Sequence, residues 1–288
     1  MEGLHKLTSV EYHADPCGTP SLSSSIAKAI YAQSPLHAWT KHPKLNPNYV
    51  HGSASESMEL GTVIHALILE GTDNITIVDA DNWRTNAAKA ERDEARDHGT
   101  IALLRKDYDR VSRLIESVRR TMEQFAVSPA LFGGNGAPEQ TLTWVEEGGV
   151  QCRALLDWLH DDRGTVDDLK TTGLSAAPEA WSRSLIKNGY DIQAAFYLRG
   201  LRALFGDADR EFRFVVVETT EPFAVSVFGL SPDALRLADA KVEFAVRKWR
   251  QAISSGVWEG YPSEVCYVES PAFDQVAFVD REVRDRGV

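Results

Sequence analysis

Two neighbouring apolar segments that carry charged side chains, ALLDWL and TVDDLKTT, constrain the possible folds of this chain most strongly. Both are rich in apolar and β-branched residues, and the turn-forming sequence HDDRG lies between them, so they are predicted to pair as a β-hairpin. Side chains alternate between the two faces of a strand, which places Asp168 and Lys170 on one face. Asp157 of the first strand can then lie opposite them.

This grouping of charges makes the hairpin a candidate metal site. Two carboxylates and an ammonium group beside apolar neighbours are costly to desolvate, and a divalent cation held by Asp157 and Asp168 would compensate for that cost. The alternative is a surface hairpin on which Asp and Lys side chains form an exposed cross-strand pair. The spacing within the hairpin leaves both interpretations open, so other segments must decide between them.

The composition favours one enzyme-sized unit. With 288 residues, 43% of them hydrophobic, the chain can bury a full core, and we expect a single domain over residues 1–288. No run of about eighteen apolar residues and no secretory signal pattern is present, so a cytoplasmic protein without a membrane span is expected. Cys17, Cys152 and Cys266 are far apart, which argues against a disulfide framework or a structural zinc site.

The net charge of -11 limits the possible partners of this chain. It argues against a surface that is basic throughout, and therefore against general nucleic-acid binding as inferred from composition alone. A locally basic groove is compatible with this charge.

The period of the apolar residues changes along the chain from about 3.6 to 2. Up to about residue 130 the segments are helical except for one short predicted strand, ITIVDA. One such helix is SPLHAWTKHP, where Ser34 is the expected N-cap and Pro35 the first helical residue. Between about residues 136 and 270, EQTLTWVEE, QCRALLDWLH and TVDDLKTT predict a meander, and EFRFVVVETT and FAVSVFGL predict a second strand pair. Helices lie between and after these strands. The predicted fold class is therefore α/β (α+β), with a central mixed β-sheet flanked by helices.

Four more polar side chains lie at positions where they could reach the hairpin. Gln193 and Tyr197 are four residues apart and share one helical face, His65 belongs to an apolar helix, and Glu139 begins a strand. Each of these features alone is typical of ordinary packing or solvation. Their order along the chain is more informative than any one of them.

Taken in order, these side chains belong to a series of short motifs. The series consists of GTVIHALILE with His65, PEQTLTW with Glu139, LLDWL with Asp157, DLKTT with Asp168 and Lys170, and QAAFY with Gln193 and Tyr197. It resembles the PD-(D/E)xK nuclease superfamily, within it the RecB-like and lambda-exonuclease-like branch, and in particular the exonuclease VIII (RecE) nuclease domain of phages and prophages. The resemblance extends from about residue 8 to about residue 270. One departure is Asp168, which stands where many relatives have Glu.

The resemblance implies a restriction-endonuclease-like core that hydrolyses phosphodiester bonds with Mg²⁺, or with Mn²⁺ in its place, and that holds two ions. The implied metal ligands are the side chains of His65, Glu139, Asp157 and Asp168 and the backbone carbonyl of Leu169. Lys170 is expected to orient the attacking water and stabilise developing negative charge. Gln193 and Tyr197 are expected to orient the substrate strand or to support Lys170.

The resemblance also implies a substrate and partners. The implied activity is 5′→3′ exonuclease digestion of double-stranded DNA, which leaves 3′ single-stranded tails for a RecT-like annealing protein. Relatives form closed rings around duplex DNA, so a cyclic trimer or tetramer is expected, with basic residues only on the channel wall. Candidate phosphate contacts are Arg84, Lys89, Arg153 and Lys187.

Two kinds of alternative remain open at this point. The first is another nuclease of the superfamily, either an endonuclease or a Cas4-like exonuclease, although the three dispersed cysteines do not match the four clustered cysteines of an iron–sulfur site. The second is a DNA-binding or assembly module that retains the fold without the chemistry. The presence of Asp157, Asp168 and Lys170 argues against the second.

Overall fold

A mixed six-stranded sheet with helices on both faces forms the centre of the structure. The computed structural model describes residues 2–50, 56–69, 71, 75–125 and 134–287. Within these residues the strands are β1 (Gly3–His5), β2 (Ile75–Val78), β3 (Ile101–Leu104), β4 (Ala137–Glu146), β5 (Val150–Leu159), β6 (Thr165–Thr172), β7 (Glu211–Glu218) and β8 (Val225–Gly229). The helices are α1 (Ser9–His13), α2 (Ser24–Ala32), α3 (Pro35–Thr40), α4 (Glu56–Leu69), α5 (Asn86–Asp97), α6 (Arg105–Met122), α7 (Pro178–Asn188), α8 (Tyr190–Phe205), α9 (Pro232–Ser255) and α10 (Ala272–Arg286).

The order of the strands confirms the predicted sheet. The six strands are arranged β1-β4-β5-β6-β7-β8, and β6 and β7 run parallel while the other neighbours are antiparallel. The two sets of strands predicted from the sequence therefore join in one sheet. The strands β2 and β3 form a separate parallel pair. The short elements β1, β3 and α1, together with α10, were not predicted, because they are too short or too weakly patterned to give a clear signal.

Local side-chain bonds account for the start of several helices. The hydroxyl oxygens of Ser23, Ser34 and Ser231 accept hydrogen bonds from backbone N–H groups in the first turns of α2, α3 and α9. Pro35 occupies the first position of α3, where its missing N–H costs nothing. The contact at Ser34 confirms the predicted cap.

The alternation of side chains along β7 divides the core into two layers. Phe212, Phe214 and Val216 pack in a cluster with α2, α8 and α9 on one face of the sheet. Val215 and Val217 pack on the other face, in a second cluster with α4 and α6. Because strand side chains alternate between faces, α8 and α4 approach the sheet from opposite sides. No helix among the described residues is long and apolar enough to cross a membrane.

The position of Arg153 on β5 contradicts its predicted role as a DNA contact. Its side chain is only 4% exposed, and its guanidinium donates hydrogen bonds to the backbone carbonyl and the hydroxyl of Ser21 at 2.9 and 2.6 Å. The same group lies 3.3 Å from the carboxylate of Asp15. The prediction was wrong because the alternation of β5 directs this cation into the protein, where it anchors the N-terminal segment.

Asp15 is the anion of this buried cluster. Burial alone would raise the pKa of its carboxyl group, but His42, Arg153 and Ser21 stabilise the charged form and lower the pKa to about 2. A carboxyl group whose pKa is lower in the folded state stabilises the protein fully above the unfolded-state pKa of about 4. That contribution is lost as the pH falls through the folded-state value.

We predict that Asp15→Asn lowers the free energy of unfolding at pH 7 by about 2 kcal/mol, because a pKa unit corresponds to about 1.4 kcal/mol. The difference from the wild type should shrink as the pH falls from about 4 towards 2. Urea unfolding of both proteins at several pH values measures this difference in the free energy of unfolding. Asp209→Asn, at an exposed position, is the matched control and should have no such effect. A deficit that does not change with pH would contradict the assignment.

Candidate metal centre

The centre lies where β5 and β6 separate. Their ladder contains only the pairs Trp158 with Asp167 and Leu159 with Val166, whereas β6 pairs with β7 along its whole length. Beyond these two pairs, the backbone N–H of Leu169 donates to the Asp157 carboxylate at 2.8 Å. A side chain of β5 thus replaces the strand partner, and its carboxylate is held in the gap.

His65 reaches this gap from α4. Its Nε2 lies 2.9 Å from the Oδ2 atom of Asp157, and its Nδ1 lies 3.7 Å from the Oε1 atom of Glu139. Ligand atoms of His65, Glu139 and Asp157 all lie within 4.8 Å of one another. Three of the predicted metal ligands are therefore brought together. One comes from α4, which is distant in sequence from the strands β4 and β5 that carry the other two.

Glu139 adopts an unusual backbone conformation. Its φ is 53°, in the left-handed region that non-glycine residues rarely occupy. The neighbouring pairs Pro138 with Trp158 and Gln140 with Leu156 are in register, so Glu139 lies across from Asp157 at a position where the ladder is interrupted. Strained backbone of this kind is concentrated at functional sites, where the surrounding structure holds it in place.

The contact between His65 and Asp157 changes the pKa of both groups. Burial would lower the pKa of His65, but the charge and hydrogen bond of Asp157 outweigh burial and raise it to about 9. Burial would raise the pKa of Asp157, and the charge of His65 lowers it below its usual value instead. In the protein without a bound metal ion, the imidazole is therefore protonated at neutral pH. It then lies as a cation between the carboxylates of Asp157 and Glu139.

Asp168 and Lys170 form the second half of the centre. Asp168 is fully buried, accepts a hydrogen bond from the Gln193 side chain at 2.7 Å, and forms an ion pair with Lys170. Burial raises the pKa of Asp168 to about 7, although Lys170 opposes this change. Burial would lower the pKa of Lys170, and the charges of Asp168 and Asp157 raise it instead. Lys170 is thus a cation at neutral pH.

Tyr190 was not predicted to belong to the site. The ammonium nitrogen of Lys170 lies 5.0 Å from the centre of the Tyr190 ring, a distance at which the aromatic face attracts a cation. This ring stacks on Trp181, with centroids 5.4 Å apart. The available signal was its spacing, since Tyr190 precedes Gln193 by three residues and shares its helical face.

Tyr197 is buried in the core and packs between elements. Its ring packs edge-on against Phe212 at 5.8 Å, and its hydroxyl forms a hydrogen bond with Ser24. These contacts join α8 to β7 and to α2. A direct role of Tyr197 toward the substrate stays a prediction.

The three remaining candidate phosphate contacts lie on the protein surface. Arg84 precedes α5, Lys89 belongs to α5, and Lys187 lies in the last turn of α7; all three side chains are exposed. Their contact with DNA stays a prediction, in contrast to that of Arg153.

The donor atoms of the centre suit a divalent cation. One imidazole and two carboxylates converge, and carboxylate oxygens are the ligands that hard divalent ions prefer. Asp168 stands beside this cluster, where Gln193 and Lys170 engage its oxygens. The predicted ligand set is therefore only partly assembled in the protein alone, with His65, Glu139 and Asp157 together and Asp168 adjacent.

The chain matches the PDDEXK-like domain of unknown function (DUF3799) over residues 23–271. It belongs to this family. Among solved structures, a candidate exonuclease from Eubacterium rectale superimposes with a TM-score of 0.56 at 15% identity, over 95% of this chain and 99% of that chain. A phage-related exonuclease from Haemophilus somnus 129PT aligns with a TM-score of 0.30 at 14% identity, over 68% of this chain and 95% of that chain. None of the curated proteins matches the chain.

Membership of the DUF3799 family confirms the resemblance to PD-(D/E)xK nucleases that the motifs predicted. It also confirms the prediction of an enzyme of the nuclease class. The similarity to the Eubacterium rectale protein extends over nearly the whole of both chains and shows a common fold.

We predict that the DUF3799 protein releases about one proton per molecule when it binds divalent ions at pH 7.5, because an imidazole must be neutral to bind a metal and the pKa of His65 is about 9. Affinity for Mn²⁺ should accordingly increase as the pH rises towards 9. Isothermal titration calorimetry in buffers of different ionisation enthalpy measures the proton count. His65→Gln should abolish the release, whereas His98→Gln, at an exposed helix end, should retain it. Binding without proton release by the wild type would exclude His65 as a ligand.

Proposed function

We propose that this protein is a Mg²⁺-dependent exonuclease that digests one strand of double-stranded DNA from its 5′ end and leaves 3′ single-stranded tails for recombination by strand annealing. The single observation that carries the proposal is the convergence, in the gap between β5 and β6, of the His65, Glu139 and Asp157 cluster with the Asp168 and Lys170 pair. Metal ligands and a cation beside them are what phosphodiester hydrolysis requires.

The ligand cluster is suited to hold Mg²⁺. We propose that Mn²⁺ can replace it and that two ions bind. When bound, such an ion polarises the phosphate and lowers the pKa of water. Asp157 and Glu139 would supply carboxylate oxygens, and His65 would supply a ring nitrogen. The N–H and C=O groups of one strand residue point to the same side, so the Leu169 carbonyl is directed into the gap together with its N–H. That direction supports Leu169 as a further oxygen ligand.

Lys170 is proposed to orient the attacking water and to stabilise negative charge on the phosphate. It stays charged at neutral pH, because Asp168 and Asp157 raise its pKa. Gln193 holds one oxygen of Asp168 at 2.7 Å and so keeps the carboxylate beside Lys170. Gln193 is therefore proposed to support Lys170 through Asp168, which is compatible with one of the two roles that the resemblance implied.

The proposed activity is favoured over the alternatives by three observations. The solved structure from Eubacterium rectale that shares this fold is named as a candidate exonuclease, and the fold match covers 99% of that chain. The cysteines give no four-ligand cluster, since Cys17 and Cys152 are buried at separate positions and Cys266 is exposed. A Cas4-like iron–sulfur enzyme is therefore disfavoured, and the presence of Asp157, Asp168 and Lys170 at one centre disfavours a module without chemistry.

The acidic net charge supports a proposal about assembly. A chain of net charge -11 binds a polyanion poorly unless its few basic residues are gathered around the substrate. A cyclic trimer or tetramer that encloses duplex DNA would gather these residues around it. Dissociation of the DNA would then require the ring to open. Arg84, Lys89 and Lys187 are the proposed phosphate contacts of the channel, and a RecT-like annealing protein is the proposed partner of the product strand.

The proposed function predicts that the wild type with Mg²⁺ or Mn²⁺ releases nucleotides from a duplex labelled at the 5′ end before one labelled at the 3′ end. Asp168→Ala and Lys170→Ala should each reduce hydrolysis at least about a hundredfold, because the first removes a proposed metal ligand and the second removes the cation that stabilises negative charge on the reacting phosphate. Ca²⁺ should support DNA binding with little turnover. Gel assays of both labelled duplexes measure these effects.

The matched control is Lys248→Ala, which removes a surface ion pair with Glu259 and should retain full activity. Near wild-type hydrolysis by a folded Lys170→Ala variant would refute the site. Activity in excess EDTA would exclude the metal, and faster release of the 3′ label would reverse the polarity.

Tyr190 supplies a second prediction. The substitution Tyr190→Leu removes the aromatic face beside the Lys170 ammonium group. We expect hydrolysis to fall about tenfold, because a partly buried cation–π contact contributes about 1 to 2 kcal/mol. The alkaline limb of the pH–rate profile should move to lower pH, since Lys170 loses a stabilising neighbour. Tyr190→Phe retains the face and should restore both values. Equal loss in Phe and Leu variants would assign the effect to the hydroxyl group instead.

A further inference from the structure

Helix α4 lies close to strand β6 at Gly61. A side chain at this position would place its Cβ atom 3.1 Å from the Oγ1 atom of Thr171, and outside α4 no other atom of the described residues lies within 4 Å of that point. Ordinary contacts between carbon and its neighbours lie at about 3.5 to 4.0 Å, so the added atom would be crowded. The hydrogen atom of glycine therefore permits the distance at which α4 and β6 lie.

Glycine is otherwise an unfavourable residue inside a helix. Gly61 lies within α4, where alanine would lose less backbone entropy on folding and would favour the helix. A glycine at such a position usually has a packing or functional reason. Thr171 cannot easily make room for a side chain, because a β-branched residue has few allowed rotamers. An added Cβ atom would therefore move α4 away from β6 by a few tenths of an ångström.

His65 follows Gly61 by one turn on the same face of α4. Residues four apart share a helical face and are separated by about 6 Å along the axis. The Nε2 atom of His65 lies 2.9 Å from the Oδ2 atom of Asp157, whose carboxylate also accepts from the backbone N–H of Leu169 on β6. A displacement of α4 at Gly61 would thus shift the imidazole relative to the carboxylates beside it.

Divalent cations differ in how strictly their ligands must be placed. Mg²⁺ requires nearly ideal octahedral geometry with bonds of about 2.0 to 2.1 Å, whereas Ca²⁺ accepts flexible geometry with bonds of about 2.3 to 2.6 Å. A ligand that moves by a few tenths of an ångström leaves the range that Mg²⁺ tolerates. The same movement should therefore weaken the binding of Mg²⁺ more than that of Ca²⁺.

We propose that Gly61 is a positioning residue, which sets the distance between α4 and β6 and thereby makes the metal centre selective for Mg²⁺ over Ca²⁺. It acts through His65 and touches neither the ion nor the substrate. This role rests on the proposed metal centre, and it assigns to one residue the choice of ion at that centre.

Competition with Mn²⁺ tests this role without turnover. Mg²⁺ or Ca²⁺ displaces bound Mn²⁺, and the electron paramagnetic resonance signal of free Mn²⁺ then reports both affinities. Gly61→Ala should lower the affinity for Mg²⁺ about tenfold and that for Ca²⁺ less than about twofold, because a residue that orients a metal ligand is lost. Gly18→Ala, where a Cβ atom meets nothing within 4 Å, is the matched control and should change neither affinity. Circular dichroism checks that each variant is folded.

Double variants separate crowding from other effects of the substitution. Adding Thr171→Ala to Gly61→Ala removes the Oγ1 atom that the new Cβ atom would meet, and should restore the preference for Mg²⁺. Adding Thr171→Val instead keeps the size of the side chain and should leave the preference reduced.

Two outcomes would overturn the role of Gly61 alone. They are an unchanged ratio of the two affinities in Gly61→Ala, and equal recovery with Thr171→Val and Thr171→Ala. In either outcome His65→Gln should still weaken the binding of Mn²⁺ if the metal centre is correct. A His65→Gln variant that binds Mn²⁺ as the wild type does would refute the metal centre itself, and the role of Gly61 with it.

Discussion

The separation of β6 from β5 is the constraint on which the rest of the centre depends. If the ladder continued beyond Trp158 and Asp167, the Leu169 N–H would bind a strand partner, and Asp157 would lack its donor at 2.8 Å. Because the strands part, side chains from both layers can meet between them. His65 enters from the α4 side and Gln193 from the α8 side. Neither helix alone could assemble the site.

The charge balance in this gap explains the affinity for a cation that we propose. Glu139, Asp157 and Asp168 contribute three carboxyl groups, while His65 and Lys170 contribute two cations. The protein alone compensates by holding a proton on His65 and by raising the pKa of Asp168 to about 7. A divalent ion provides the missing positive charge and displaces those protons, so binding and proton release are two aspects of one electrostatic requirement.

The sequence predicted what depends on local pattern and missed what depends on long-range packing. The period of two and the serine caps revealed the meander and several helices, and the resemblance to a nuclease family grouped His65 with Asp157. Arg153 was misjudged because composition cannot tell which cation a strand turns inward. Tyr190 was missed because its importance comes from Lys170, which lies on a different element. The strained φ of Glu139 is likewise set by strand pairing and has no signature in the neighbouring residues.

The neighbouring residues Asp167 and Asp168 show how strand alternation separates structure from chemistry. Asp167 faces the opposite side of β6, where Arg213 binds both of its oxygens at 2.7 and 3.0 Å and His160 lies 2.7 Å away. Protein partners compensate the charge of Asp167, and neither of its carboxylate oxygens is directed at the gap. Asp168 is fully buried, and among the described residues its oxygens are engaged by one ammonium group and one amide. Of these two neighbouring carboxylates, the one with incomplete compensation is therefore the one that we propose as a metal ligand.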